Sequence, residues 1–162
     1  AARAAGLPDD AIAAALRTFP GVEHRIEEIA VRRGVRFVND SKATNVAAAL
    51  RALASFPGLR KHVILGGRGK HESYAPLAAA FADGDRAYLI GEAMPELATA
   101  LADAGVPHEL AGDLPTALGS AAAAAAPGEV VLLSPACASF DQFKSFEHRG
   151  EEFRRLVQNL GE

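Results

Sequence analysis

Tryptophan is absent, cysteine and methionine occur once each, and aromatic residues make up only 6% of the 162-residue sequence. The lone cysteine, Cys137, excludes an internal disulfide framework and a cysteine-based zinc site, which fits a reducing compartment. No apolar run is long enough to span a bilayer. No apolar signal core follows the first residues, Ala1-Ala2-Arg3, and no methionine starts them, so the chain reads as a piece of a longer polypeptide. The formal net charge is -3, which leaves no overall basic field to hold nucleic acid. What remains is 49% hydrophobic and 23% charged, the balance of a soluble globular domain that buries its core without staples.

The spacing of apolar residues predicts a short helix over residues 8–18, with Pro8 in the first turn and Asp9 and Asp10 at its positive end. Phe19-Pro20-Gly21 breaks it. Two extended runs, 25–32 and 35–39, flank Arg33-Gly34 and read as a hairpin, although both faces of the first run are equally apolar. Beyond Asn39 strands and helices alternate. Helices are expected at 46–56, 74–82, 94–104, 114–126 and 147–160, and strands at 62–65, 86–90, 107–110 and 130–133. The alanine run at 121–126 reads simply as good helix. Short apolar strands alternating with helices imply a Rossmann-like, mostly parallel α/β sheet of about six strands flanked by helices. The first strand of the hairpin would form its antiparallel edge.

In such sheets ligands bind beyond the carboxyl ends of the strands. Three of these ends carry polar or glycine-rich segments: Asn39-Asp40-Ser41-Lys42-Ala43-Thr44-Asn45, Gly66-Gly67-Arg68-Gly69-Lys70, and residues 134–143. The sheet should gather all three on one edge. The glycine segment is not a nucleotide P-loop, because Ile64 stands where the first glycine belongs and His71 follows Lys70. It reads as a tight turn that projects one lysine toward a ligand or merely into solvent. Asp40, Ser41 and Thr44 read as caps for the next helix, or else the same segment offers a carboxylate, Asp40, for a ribose or metal and a cation, Lys42, for a phosphate. Cys137 reads as a small buried hydrophobe, with no histidine near it in sequence. His71, His108 and His148 lack metal-ligand spacing, and Glu151, Glu152, Arg154 and Arg155 read as a solvated helix face.

These segments resemble the Mur ligase family. Residues 19–25, Phe-Pro-Gly-Val-Glu-His-Arg, are similar to the junction between its central ATP-binding domain and its terminal domain. Residues 39–45 and 134–143, with Phe146-Glu147-His148-Arg149-Gly150, resemble the glutamate-adding members, and the likeness runs almost the whole chain in register. The resemblance implies a three-domain cytoplasmic enzyme of peptidoglycan synthesis. It would join D-glutamate to UDP-N-acetylmuramoyl-L-alanine with hydrolysis of ATP, through an acyl phosphate. ATP and Mg2+ would be used by the full-length protein, with neither held by this chain alone. Its partners would be its own amino-terminal and central domains, with no nucleic acid and no membrane. Residues 1–22 would be a remnant of the central domain plus a linker, and residues 23–162 the glutamate-binding domain.

Position by position, the resemblance implies that His24, Arg25 and Asp40 serve ATP, Arg25 at phosphate and Asp40 at ribose. Lys42, Thr44, Lys70, Ser139, Phe140 and Phe146 would surround the incoming glutamate. No catalytic residue and no metal ligand is implied within this chain. Phe140 departs from the family, where leucine is common. A mobile hinge is expected over residues 19–25. Another Mur-type or folylpolyglutamate-type ligase domain, or a stand-alone α/β binding module, are the alternatives.

Overall fold

The computed structural model describes residue 6 and residues 8–18 and 21–161. Phe19 and Pro20 lie outside them, so the expected hinge falls partly outside the described residues. The element order is α1 (Asp9–Thr18), β1 (Glu27–Arg32), β2 (Val35–Asn39), α2 (Val46–Ala54), β3 (Lys61–Gly66), α3 (Ala75–Ala78), β4 (Arg86–Ile90), α4 (Met94–Asp103), β5 (His108–Gly112), α5 (Leu114–Ala124), β6 (Val130–Leu133) and α6 (Phe146–Gln158). The six strands form one sheet in the order β1-β2-β6-β3-β4-β5. β1 pairs antiparallel with β2, and the remaining pairings are parallel. This is the expected architecture, with the hairpin strand at the edge.

Central strands alternate between two cores, as the two-residue period of a strand requires. Val63, Leu65, Leu89 and Leu132 pack under α2, α3 and α4 with Leu53, Leu77 and Leu97. Ile64, Tyr88, Val131 and Leu133 face the other way, against Leu118 of α5 and Phe153 of α6. Burial on both faces is why these strands read as unbroken apolar runs rather than as alternation.

The ambiguity of the first strand has a structural cause. The register shifts between Glu28 and Ala30, so Ile29 is an extra residue and the alternation slips there. Ile29 and Ala30 both pack against the α5–α6 core, while Val31 is exposed.

Two expectations need correction. The helix expected at 74–82 is only Ala75–Ala78. After it the chain tightens, with Ala80 N donating to Leu77 O at 3.1 Å and Phe81 N to Ala78 O at 3.3 Å. Asp85 then halts it, accepting from Ala82 N at 3.0 Å and from Lys61 N at 2.8 Å. The charged face of α6 is also not wholly solvated. Arg155 pairs with Glu152 on the surface, but Arg154 reaches Glu27 of β1 at 2.8 Å and ties the helix to the edge strand.

Candidate functional site

β2, β6 and β3 are neighbours and run parallel, so the three segments that follow them leave the sheet side by side. Direct contacts join them. Ser134 Oγ donates to Asp40 Oδ2 at 2.8 Å. Gly66 N donates to Pro135 O at 2.8 Å, and Arg68 and Ala138 exchange backbone hydrogen bonds of 2.8 and 3.1 Å. Glycine is required for this approach. A Cβ at Gly66 would lie 1.9 Å from Ile90 O and one at Gly67 2.2 Å from Ala138 O, and both have φ near 125°.

The residue that binds the three segments together is Arg149, fully buried on α6. Its Nε donates to Ser41 Oγ at 2.9 Å. Its Nη2 donates to Ser41 O at 2.9 Å and Cys137 O at 3.1 Å, and its Nη1 to Gly66 O at 3.4 Å. Among the described residues no carboxylate pairs with it; burial lowers its pKa to about 10, so it stays charged at neutral pH. Local sequence placed this arginine on a polar helix, and its reach across the fold was not legible there.

Asp40 sits at the carboxyl end of β2 and is buried. Its Oδ1 accepts from Ile26 N at 3.2 Å and its Oδ2 from Ser134. Desolvation pushes its pKa up to about 6 against the opposing pull of those two hydrogen bonds and of Arg25 and Arg51. A cavity of about 420 Å³ opens beside it, walled by Arg25, Ile26, Asp40, Lys42 and Ala43. Neither Asp40, Ser41 nor Thr44 caps α2. The cap is Asn45, whose Oδ1 accepts from Ala48 N at 2.9 Å, and Glu72 Oε2 takes Val46 N at 3.2 Å. An asparagine directly before the first apolar helical residue is the signal that could have shown this.

His24 is in the junction, but its ring is buried and does not line that cavity. Asn39 Oδ1 accepts from Ser41 N at 3.1 Å, which turns Asn39 Nδ2 toward His24 Nδ1 at 3.0 Å. Nδ1 is then the acceptor, so the neutral ring carries its proton on Nε2, which faces Glu151 at 3.7 Å. Gly150 makes room for it, since a Cβ there would come within 2.2 Å of His24 Nδ1. His24 O accepts from Lys42 N at 3.0 Å, so the residue supports the segment from below. His24 and Ile26 both have positive φ, 59° and 47°, an uncommon conformation for a histidine and a strained one for isoleucine. Arg25 is held between them with its side chain exposed.

The positions expected around glutamate are spread along the same edge. Lys42 Nζ lies 5.2 Å from the centroid of the Phe146 ring, a cation–π contact, and His24 meets that ring edge-on at 6.2 Å. Ser139 is 2% exposed and its Oγ has no hydrogen-bond partner, as is also true of the buried Asp141 Oδ1. Buried hydroxyls are rarely left so. Phe140 is 61% exposed at the tip of its segment. Thr44 is half-buried, with its N–H turned to Lys42 O, and Lys70 is exposed. Cys137 is buried as expected, its Sγ 3.1 Å from Tyr74 Oη and its thiol pKa raised by desolvation. That suits packing and not nucleophilic attack.

Among known proteins the chain is 51% identical to a UDP-N-acetylmuramoylalanine–D-glutamate ligase from Sphingopyxis alaskensis over 99% of its own length and 38% of that protein. It is 52% identical to the ligase of that name from Anaeromyxobacter dehalogenans, over 96% of this chain and 34% of that one. The chain thus spans little more than a third of these relatives. A solved UDP-N-acetylmuramate–alanine ligase from Thermotoga maritima shares the fold at a TM-score of 0.67 and 15% identity, over 97% of this chain and 35% of that one. A bifunctional folylpolyglutamate synthase/dihydrofolate synthase from Yersinia pestis does so at 0.61 and 21%, over 93% and 35%. Residues 24–137 match the family model described as Mur ligase, glutamate ligase domain, and on that match the chain belongs to this family.

Proposed function

We propose that this chain is the glutamate-binding, carboxy-terminal domain of a UDP-N-acetylmuramoylalanine–D-glutamate ligase. Residues 23–162 form the domain in this reading, and residues 1–22 are the end of the central ATP-binding domain with its linker. The whole protein is a cytoplasmic enzyme of peptidoglycan synthesis. The observation that carries the reading is the convergence of residues 40–45, 66–70 and 134–143 on one sheet edge, with the orphaned Ser139 Oγ among them.

The chemistry is the formation of one amide at the expense of ATP. A carboxylate oxygen of UDP-N-acetylmuramoyl-L-alanine takes the γ-phosphoryl group, and ADP leaves. The glutamate nitrogen then attacks the acyl carbon, loses a proton and expels inorganic phosphate. Orientation is the main contribution this domain can make. Lys42, Lys70, Thr44 and Ser139 offer the cations and neutral donors that two carboxylates need, with the Phe140 amide beside Ser139. Phe146 packs along the glutamate methylenes. Arg25 meets phosphate and Asp40 the ribose, while His24 acts through its hold on the junction. Among the described residues no group of three or more His, Cys, Asp or Glu could hold a metal ion, and the reading assigns none here. Mg2+, when bound elsewhere in the full-length protein, would supply charge neutralisation at the transferred phosphate.

The test is steady-state kinetics on the full-length protein with each substrate varied in turn. Lys70→Ala should lower kcat/KM for D-glutamate by roughly ten- to hundred-fold, the loss of one charge-assisted hydrogen bond. ATP and nucleotide-sugar use should barely change. Arg25→Ala should do the reverse. An unaltered D-glutamate response to Lys70→Ala would return that lysine to a solvated side chain on a structural turn.

A further inference from the structure

α2 begins directly after the 40–45 segment, and one of its faces closes the cavity beside Asp40. Ala48 and Arg51, three residues apart and so neighbours on the helix surface, line that cavity. Ala49, Ala52 and Leu53 of the same helix turn inward to the core. The arginine is therefore on the flank that meets the cavity, above a small residue that leaves room beside it.

Its guanidinium has no other duty. Among the described residues it has no hydrogen-bond or ion-pair partner; the bond from Ser55 Oγ, at 2.8 Å, goes to the Arg51 backbone oxygen. The cavity gathers three cations, Arg25, Lys42 and Arg51, around a single carboxylate, Asp40. That imbalance suits a polyanion with a polar sugar attached. An arginine fork binds phosphate oxygens in a way that neither a lysine nor an alanine reproduces.

We infer that Arg51 is a further binding residue of this cavity, one that holds the phosphate-bearing half of a nucleotide together with Arg25. This rests on the reading of the cavity as the nucleotide site. The bland alternative is that Arg51 only places a positive charge in the last turn of α2, where it favours the helix dipole.

The experiment uses the full-length protein and two probes, ADP and adenosine, with binding measured by calorimetry and the KM for ATP by kinetics. Arg51→Ala should weaken ADP binding and raise the ATP KM by about tenfold, as expected for one charge-assisted hydrogen bond. Adenosine binding and the D-glutamate KM should stay within twofold. Arg51→Lys keeps the helix-end charge, so it should preserve thermal stability yet recover only part of the ADP affinity. Arg51→Gln, with far-ultraviolet circular dichroism, separates a binding effect from misfolding. ADP binding unchanged in Arg51→Ala and Arg51→Gln, while Arg25→Ala weakens it, would overturn the inference and leave Arg51 as a helix-end cation. If Arg25→Ala also leaves ADP binding unchanged, the nucleotide reading of the cavity falls with it.

Discussion

Arg149 grips Ser41 twice, through the hydroxyl by Nε and through the carbonyl by Nη2, both at 2.9 Å. The two residues stand 108 positions apart in the chain. Because the same guanidinium reaches Cys137 O and Gly66 O, a single side chain sets the mutual spacing of all three site segments. Ser41 in turn donates to Phe146 O at 2.8 Å, which seats the start of α6.

Arg149→Met should therefore destabilise the protein and disturb the site together. Each buried oxygen left without a donor costs about 1–3 kcal/mol, so a total of about 3 kcal/mol or more is expected. Arg149→Lys keeps the charge but cannot span the same acceptors, and should recover only part of it. Urea midpoints with calorimetric D-glutamate binding in the full-length protein check this. A midpoint unchanged in Arg149→Met would contradict the account.

Gly67→Ala should be more damaging to the site than its one methyl suggests. The Cβ would strike Ala138 O and crowd Arg149 Nη1, at a backbone angle that L residues avoid. The backbone must move, at a cost of roughly 2–4 kcal/mol. The thermal midpoint should fall accordingly, and, on the proposed role of Lys70 three residues on, the D-glutamate KM of the full-length protein should rise.

Asp40 predicts a pH dependence with a definite sign. Its folded pKa, about 6, lies above its ordinary 3.8, so the folded state binds the extra proton. The related stability is complete below about pH 4 and is lost as the pH rises through about 6. Other carboxylates, such as Glu27 and Glu129, shift downward and act in the opposite sense, so the informative quantity is a difference. The stability of the native protein relative to Asp40→Asn should fall by up to about 3 kcal/mol between pH 4 and pH 7 and level off above. Denaturant midpoints for both proteins across that range measure it. A flat difference would show that Asp40 is not desolvated in the fold.

The 162-residue chain on its own should neither hydrolyse ATP nor ligate D-glutamate. Its sequence holds no Gly-x-x-x-x-Gly-Lys-Ser/Thr segment to cradle the phosphates. Release of inorganic phosphate by the pure, folded chain would show that the chemistry has been assigned to the wrong part of the protein.

The sequence by itself determined the class of fold and the segments that make the site. Strands β2, β3 and β6 lie where their apolar runs end in polar or glycine residues, because burial on both faces leaves no other pattern open to them. The parallel order then brings the three segments to one edge without further instruction. Asn45 as the cap of α2 was also within reach, being a strictly local rule. What only the tertiary structure decided depends on contacts between distant positions. The bulge at Ile29 is a matter of strand pairing, and the sequence shows only its symptom, the unresolved facing of Glu27–Arg32. The early end of α3 follows from Asp85, which must reach back to Lys61 and Ala82. That His24 stands buried behind the cavity beside Asp40 is also decided only in three dimensions, because Asn39 and Gly150 enclose its ring. In the sequence Arg149 stands out only as part of the Phe146–Gly150 segment that resembles the family. Its role exists only once Ser41, Gly66 and Cys137 present their oxygens to the same buried point, and no window of sequence contains all four.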